Sequence, residues 1–377
     1  MKKIISTSFL SVFVLVAVAM CKENTSTDLQ KTFFVSQGGK LVVSVSGGDI
    51  QVRVWDKMQV QMTAQNIGDD ANRVEADQVG NTITVQYKPQ GGWWGGNRDL
   101  KFEFYVPKDF NLDLTTSGGD IGIGGDLAGD VELSTSGGDL KIDDVNGKVD
   151  GKTSGGDITV HNLEKDATLY TSGGDINVDH ATNNLEISTS GGDITVGTVG
   201  KNLNASTAGG DISIEKVDGE LHATTSSGDM TVGKIGGSVD ITTSGGDITL
   251  NSGNGRITAS TSGGDVDVIN ATGSVDISSA GGTVKVGLTP SGEGESKVVS
   301  SGGDVYLYVP SDAKANIKAE VSGGDEGDII CDFPNVNRSN GFGNEKEEIV
   351  LNGGGQEIYL HTSSGSIYVK KLNSFSK

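Results

Sequence analysis

Ser190-Gly191-Gly192-Asp193-Ile194-Thr195-Val196 is one copy of a four-residue word, Ser-Gly-Gly-Asp, followed by an alternating strand. Other full copies stand at Ser117–Asp120, Ser136–Asp139, Ser154–Asp157, Ser172–Asp175, Ser244–Asp247 and Ser262–Asp265, with softened ones at Ala208–Asp211 and Ser226–Asp229. Measured on its last residue, the word recurs every 18 residues from Asp139 to Thr283, in eight identical steps. A period held that strictly is the signature of a repeat architecture whose units stack.

Counting from the Asp as zero, apolar residues fall at +1, +3, +6, +10 and +12, with Thr or Ser at +14. In the Asp193 repeat these are Ile194, Val196, Val199, Leu203, Ala205 and Thr207; in the Asp229 repeat they are Met230, Val232, Ile235, Val239, Ile241 and Thr243. The phase changes from odd to even between +3 and +10. That predicts two short strands facing one interior, with a bend between them. Gly-Gly is expected to supply the second bend, since glycine tolerates φ > 0 and needs no room for a Cβ.

The fold class follows: all-β, a parallel β-solenoid of 18-residue coils with irregular β caps. A left-handed helix of three hexads would need apolar places six apart around the whole coil, so a right-handed β-helix is expected. A lone coil buries too little to fold, and stability must come from neighbours. Eight steps at about 4.8 Å each make a rod segment of about 40 Å.

Glycine numbers 58 of 377 residues, but proline only 5. Glycine at fixed corners reads as turns, not as flexible linker. The formal net charge of −21 argues against nucleic acid and anionic membrane surfaces as partners. Much of it comes from the repeat Asp, so it is patterned along the rod.

Residues 1–20 read as a signal peptide: Lys2 and Lys3 form a basic start, and Phe9–Met20 is apolar but too short to span a bilayer. Ala17-Val18-Ala19 fits ordinary cleavage before Met20. Val18-Ala19-Met20-Cys21 resembles a lipobox, although Met20 stands where a small residue is usual. The lipobox is the preferred reading, because Cys21 marks the apolar-to-polar border and only Cys331 accompanies it. Cys21 would then be lipidated, with residues 21–31 as a polar tether, in an exported protein at the outer membrane or cell surface.

Residues 32–110 are less regular, with strands around an outlying Ser46-Gly47-Gly48-Asp49, at Thr82–Tyr87 and at Leu100–Val106; they are expected to form opening coils and a cap. The solenoid proper is assigned to residues 111–308, its Asp120 coil one residue longer than the next. Residues 309–377 are assigned to longer coils and a cap. Within them, 331–353 reads as an inserted loop and Ser363-Ser364-Gly365-Ser366 as the worn corner of a closing coil.

Three passages together resemble a bacterial envelope family of putative adhesins, a domain-of-unknown-function group similar to the head domains of putative auto-transporter adhesins. They are Leu100–Leu114, whose strand ends in Val106-Pro107 before the first repeat, the string of Gly-Asp-Ile-like turns, and Gly354–Lys371 with its Ser-Gly-Ser-Ile and terminal basic pair. The likeness covers residues 40–371. It implies a secreted, non-enzymatic β-helix and fixes neither a ligand nor catalytic residues.

The column Asp139, Asp157, Asp175, Asp193, Asp211, Asp229, Asp247 and Asp265 is the clearest candidate site. Stacked carboxylates repel and need relief. Each Asp is expected to cap its own turn by accepting backbone N–H bonds. The competing reading is Ca²⁺, but calcium repeats need Gly-Gly-x-Gly-x-Asp, and here Asp follows Gly-Gly directly. No cofactor is otherwise expected. His161, His180, His222 and His361 fall in different columns, so neither a zinc site nor a base for a serine nucleophile is expected. Thr159, Thr195, Thr231 and Thr249 face outward in an interrupted row. Trp93-Trp94, framed by glycines, could stack on a sugar ring or fold back on a cap.

The functional expectation is a non-enzymatic envelope rod, adhesin-like or a scaffold, partnered by surface glycan or protein and by the membrane through a lipid anchor. The alternative is a calcium- or cationic-peptide-binding envelope stress factor.

Overall fold

The computed structural model describes residues 28–88, 100–291, 294–323, 328–334, 336–341 and 344–372. Signal peptide, Cys21 and Trp93-Trp94 lie outside the described residues. The described chain is all-β, with 35 strands and one short 3-10 helix at Gly68–Arg73.

Each 18-residue repeat makes one coil of two strands, Ile194–Val199 and Leu203–Ser206 in the Asp193 coil. The six-residue strands stack parallel and in register into one long sheet, sheet A: Val178 lies beside Val196, and Val196 beside Ile214. The four-residue strands do the same opposite, in sheet B, where Leu185, Leu203 and Leu221 are consecutive neighbours. The result is a parallel β-solenoid. Ile194, Val196, Val199, Leu203 and Ala205 are buried between the sheets, whereas Thr195 and Asn204 are exposed. The odd and even places therefore line one interior, one set from each sheet.

The +14 hydroxyl is inside as well, and it joins coils. Thr207 Oγ1 donates to the carbonyl of Gly192 in the preceding coil at 2.9 Å and accepts the N–H of Gly210 at 3.3 Å. The same two bonds recur from Thr135 to Ser300, and again at Thr362. A buried hydroxyl must find partners; here one comes from each coil.

The two glycines of the word are not equivalent. A Cβ on Gly192 would stand 2.1 Å from the Gly174 carbonyl oxygen, whereas the nearest atom to one on Gly191 would be 3.6 Å away. Gly192 is also absent from the glycines with positive φ, which include Gly48 at 94° and Gly125 at 95°. Of the two reasons expected for the corner, the lack of room for a Cβ holds and the positive φ does not: the second glycine serves close approach between coils, with no left-handed backbone. The extra residue of the Asp120 coil is taken up as an irregularity at Gly124–Gly125, after which pairing resumes at Asp126 and Asp144.

Both ends depart from chain order. The strands Gly39–Val45 and Asp49–Trp55 stack against Phe110–Thr116 and Ile121–Leu127. The later strands Thr82–Tyr87 and Lys101–Pro107 lie on their other side, so the second coil in sequence is outermost. Antiparallel strands then close the end, Gln59–Gln65 and Leu29–Phe34 on sheet A and Val74–Val79 on sheet B. Antiparallel closure answers the bare edge a solenoid end would leave.

At the other end, Gln356–Thr362 and Ile367–Lys371 lie between the coil of Ser296–Ser300 and Val305–Val309 and the strands Ala315–Ser322 and Ile329–Cys331. The coil read as closing is thus last in sequence but internal in space. Residues 331–353, expected as a loop, are largely a hairpin, Val336–Gly341 with Asn344–Leu351, the latter antiparallel to Ala315–Ser322. Its inward places were hard to see because two of them are glutamates: Glu345 and Glu347 are buried with Ile349 and Leu351. Glu345 Oε2 accepts the backbone N–H groups of Asp328 and Ile329.

Candidate functional site

The Asp column is a continuous ladder. Ten carboxylates, Asp49, Asp120 and the eight from Asp139 to Asp265, each accept through Oδ1 the backbone N–H of the equivalent residue one coil on, at 2.7–3.0 Å. The ladder lapses at Thr283 and resumes once, where Asp304 accepts the N–H of Ser366. Each Asp therefore reaches the next coil instead of closing its own turn, which corrects the expectation. The corner N–H lies between the ladders of the two sheets, and the neighbouring carboxylate supplies its acceptor. One oxygen of every carboxylate is committed in this way. Among the described residues, no three His, Cys, Asp or Glu side chains converge as a metal site.

The histidines are dispersed, as their columns implied. His161 Nδ1 meets Asp144 at 2.9 Å and His222 Nδ1 meets Asp240 at 3.1 Å. Asp144, by hydrogen bond and by charge, raises the His161 pKa above its ordinary value. Hydroxyls do approach histidines, which the columns did not show: Thr198 and Thr182 at His180, and Ser363 Oγ at 3.4 Å from His361 Nε2. Among the described residues, no carboxylate holds the second ring nitrogen of either histidine, the orientation a serine–histidine pair needs.

Tyrosines gather on sheet A near the C-terminal end. Tyr306 and Tyr368 are neighbours on adjacent strands of sheet A, their rings 4.4 Å apart and within 5° of parallel. Burial, then the Asp304 charge, pushes the Tyr306 hydroxyl up to about 12. The two rings cover one another, and Tyr368 has Ile330 beside it on the next strand.

A second ladder runs along the opposite bend, at +9. Asp130 N–H donates to Asn111, Lys148 N–H to Asp130, Asn184 N–H to Asp166, Asn202 N–H to Asn184 and Glu220 N–H to Asn202. Between this column and the outward +11 residues of sheet B runs an open furrow. One stretch, from Asp166 to Thr258, has a volume of about 870 Å³. A second, of about 610 Å³, continues it to Lys40 and shares Asp166 and Thr168 with the first. The recurrence of Asx at 111, 130, 166, 184 and 202 was the available signal. It is weaker than the Asp word because Lys148, Glu220, Ser238 and Arg256 interrupt it.

The model of the Toastrack DUF4097 family matches residues 39–262 and, again, 201–370. The chain belongs to this family. The two overlapping matches reflect the internal repeat, whose coils can be aligned in more than one frame. Solved structures similar to this Toastrack chain include a putative adhesin from Bacteroides fragilis, 15% identical over 67% of this chain and 97% of that one, with a TM-score of 0.29. Others are a putative cell adhesion protein from Clostridium sporogenes (9% identity, 92% and 100% covered, TM-score 0.18) and a putative lipid binding protein from Parabacteroides distasonis (12%, 91% and 97%, TM-score 0.20). No curated protein matches the chain. Superpositions this loose leave function to the chain's own geometry.

Proposed function

We propose that this Toastrack protein is a non-enzymatic envelope rod that presents a repetitive polar surface, an adhesin-like or scaffold module. The observation that carries the reading is the register of the coils. Every outward position recurs along the rod at one strand spacing, about 4.8 Å, with polar residues of several kinds at each, while the repeat Asp and Thr are engaged in joining coils. Such a surface suits an extended or multivalent partner, since many weak contacts at fixed spacing add.

Export and anchoring belong to the same reading: the rod leaves the cell and is held at the envelope by a lipidated Cys21. The test is adhesion of the labelled protein to cells and immobilised matrix, with polysaccharide turnover assayed alongside. Adhesion without turnover supports the proposal. Turnover, or no adhesion to any surface, overturns it. For the anchor, Cys21→Ser should leave the membrane fraction, and wild-type protein already soluble with Met20 first would end that part.

A further inference from the structure

We propose that the furrow on sheet B is the binding site of this surface, and that it takes a neutral, hydroxyl-rich linear glycan. The inference rests on the surface-binding reading above and assigns it a face and a ligand class.

The furrow has two walls and a floor. One wall is the +9 column, where the Oδ1 atoms of Asp166, Asn184 and Asn202 are held by backbone N–H groups of the next coil. Those side chains are fixed before anything binds, so little rotamer freedom is lost on association. The other wall is the +11 column, which includes Thr168, Glu186, Asn204 and His222. The floor is the backbone at +10, whose Leu185, Leu203 and Leu221 side chains turn inward and are at most 2% exposed.

Chemistry narrows the occupant. From Asp166 to Asp240 the lining includes no Lys or Arg; with a net charge of −21, anionic polymers are repelled. An extended peptide would bind through a free strand edge or through apolar pockets for alternate side chains. The furrow offers neither, because the floor strands are paired on both sides and their apolar side chains face the core. Amides and hydroxyls, which both donate to and accept from sugar hydroxyls, remain, together with carboxylates, which accept from them. They recur once per coil, about 4.8 Å apart, close to the advance of one sugar ring along an extended chain.

The experiment titrates the full exported protein with hexasaccharides of β-1,4-glucose, β-1,4-N-acetylglucosamine and β-1,4-mannose, and with hexalysine. Asn204→Trp fills the furrow from an exposed strand position, Glu186→Gln removes one wall charge without bulk, and Thr195→Trp places the same indole on sheet A. Expected is binding of at least one hexasaccharide, weakened ten-fold or more by Asn204→Trp, altered by Glu186→Gln and unchanged by Thr195→Trp. No hexasaccharide bound, equal loss in both Trp variants, or hexalysine alone displaced by Asn204→Trp would overturn it. If Asn204→Trp adheres to surfaces as well as wild type does, the furrow assignment fails while the surface reading stands. If wild type adheres to nothing, the surface reading itself fails.

Discussion

Thr189 is tied to Gly174 of the coil before it: its hydroxyl donates to the Gly174 carbonyl at 2.9 Å while accepting the N–H of Gly192 at 3.3 Å. Thr189→Val keeps the shape and strands both groups in a buried place. Each unsatisfied group costs about 1–3 kcal/mol. Thr189→Ser keeps both bonds and should cost far less. Hydrogen exchange at the Gly192 amide, with denaturant unfolding, reads the difference; equal behaviour of the two variants would remove the hydroxyl from the account.

Gly192 and Gly191 should part sharply on substitution. A methyl group at Gly192 would collide with the Gly174 backbone of the preceding coil, 2.1 Å away, and backbone cannot step aside as a side chain can. Gly192→Ala should cost about 1–3 kcal/mol or more. Gly191→Ala should be nearly neutral, because Ser227 already occupies that place in another coil. Similar melting temperatures for the two alanine variants would contradict the contact.

Calcium should leave stability unchanged. The ladder carboxylates spend Oδ1 on backbone N–H groups (Asp193 on that of Asp211, for example). A site filled at 100 times its Kd would add about 2.7 kcal/mol, and several would raise the melting midpoint by many degrees. Melts in millimolar calcium and in chelator should superimpose. A rise of several degrees with calcium would restore the cation reading.

His161 should titrate above its ordinary value because Asp144 bonds and attracts its protonated ring. A folded pKa raised above the unfolded one stabilises the protein at pH below the unfolded value, near 6.5, and the contribution fades as pH rises through the folded value. The ring is solvent-exposed, so the effect belongs in an NMR titration and not in a melt. Asp144→Asn should return the His161 titration toward ordinary; no change would show that Asp144 is not the cause.

The coils were legible because burial and spacing agree at every place: Ile194, Val196, Val199, Leu203 and Ala205 are apolar and inside. The partners of the polar corner were not legible. A sequence shows that Asp193 recurs, but only stacking shows that its acceptor serves Asp211. The word itself carried one unread clue. Its second glycine survives in Ser226–Asp229 while the first becomes Ser227, which is the asymmetry the contact distances explain. The ends were obscured by topology, since chain order and spatial order differ there, and by glutamates at the inward places 345 and 347. The furrow is not legible in the sequence because its two columns come from a bend and a strand, and neither alone has the pattern of a site.

The slot that Gln356–Lys371 fills gives the rod an adjustable middle and a fixed clasp. Whole coils could be added or removed between Asp139 and Asp265 without disturbing either end, because every junction there is the same. The C-terminal end has no such freedom. Ala315–Ser322 and Ser296–Ser300 both pair with Gln356–Thr362 and not with each other, so a chain cut before that strand leaves two sheet edges facing an empty berth. Length can change by whole coils that share one register, but a prematurely stopped chain cannot latch, and the molecule thereby tells a shorter rod from an unfinished one.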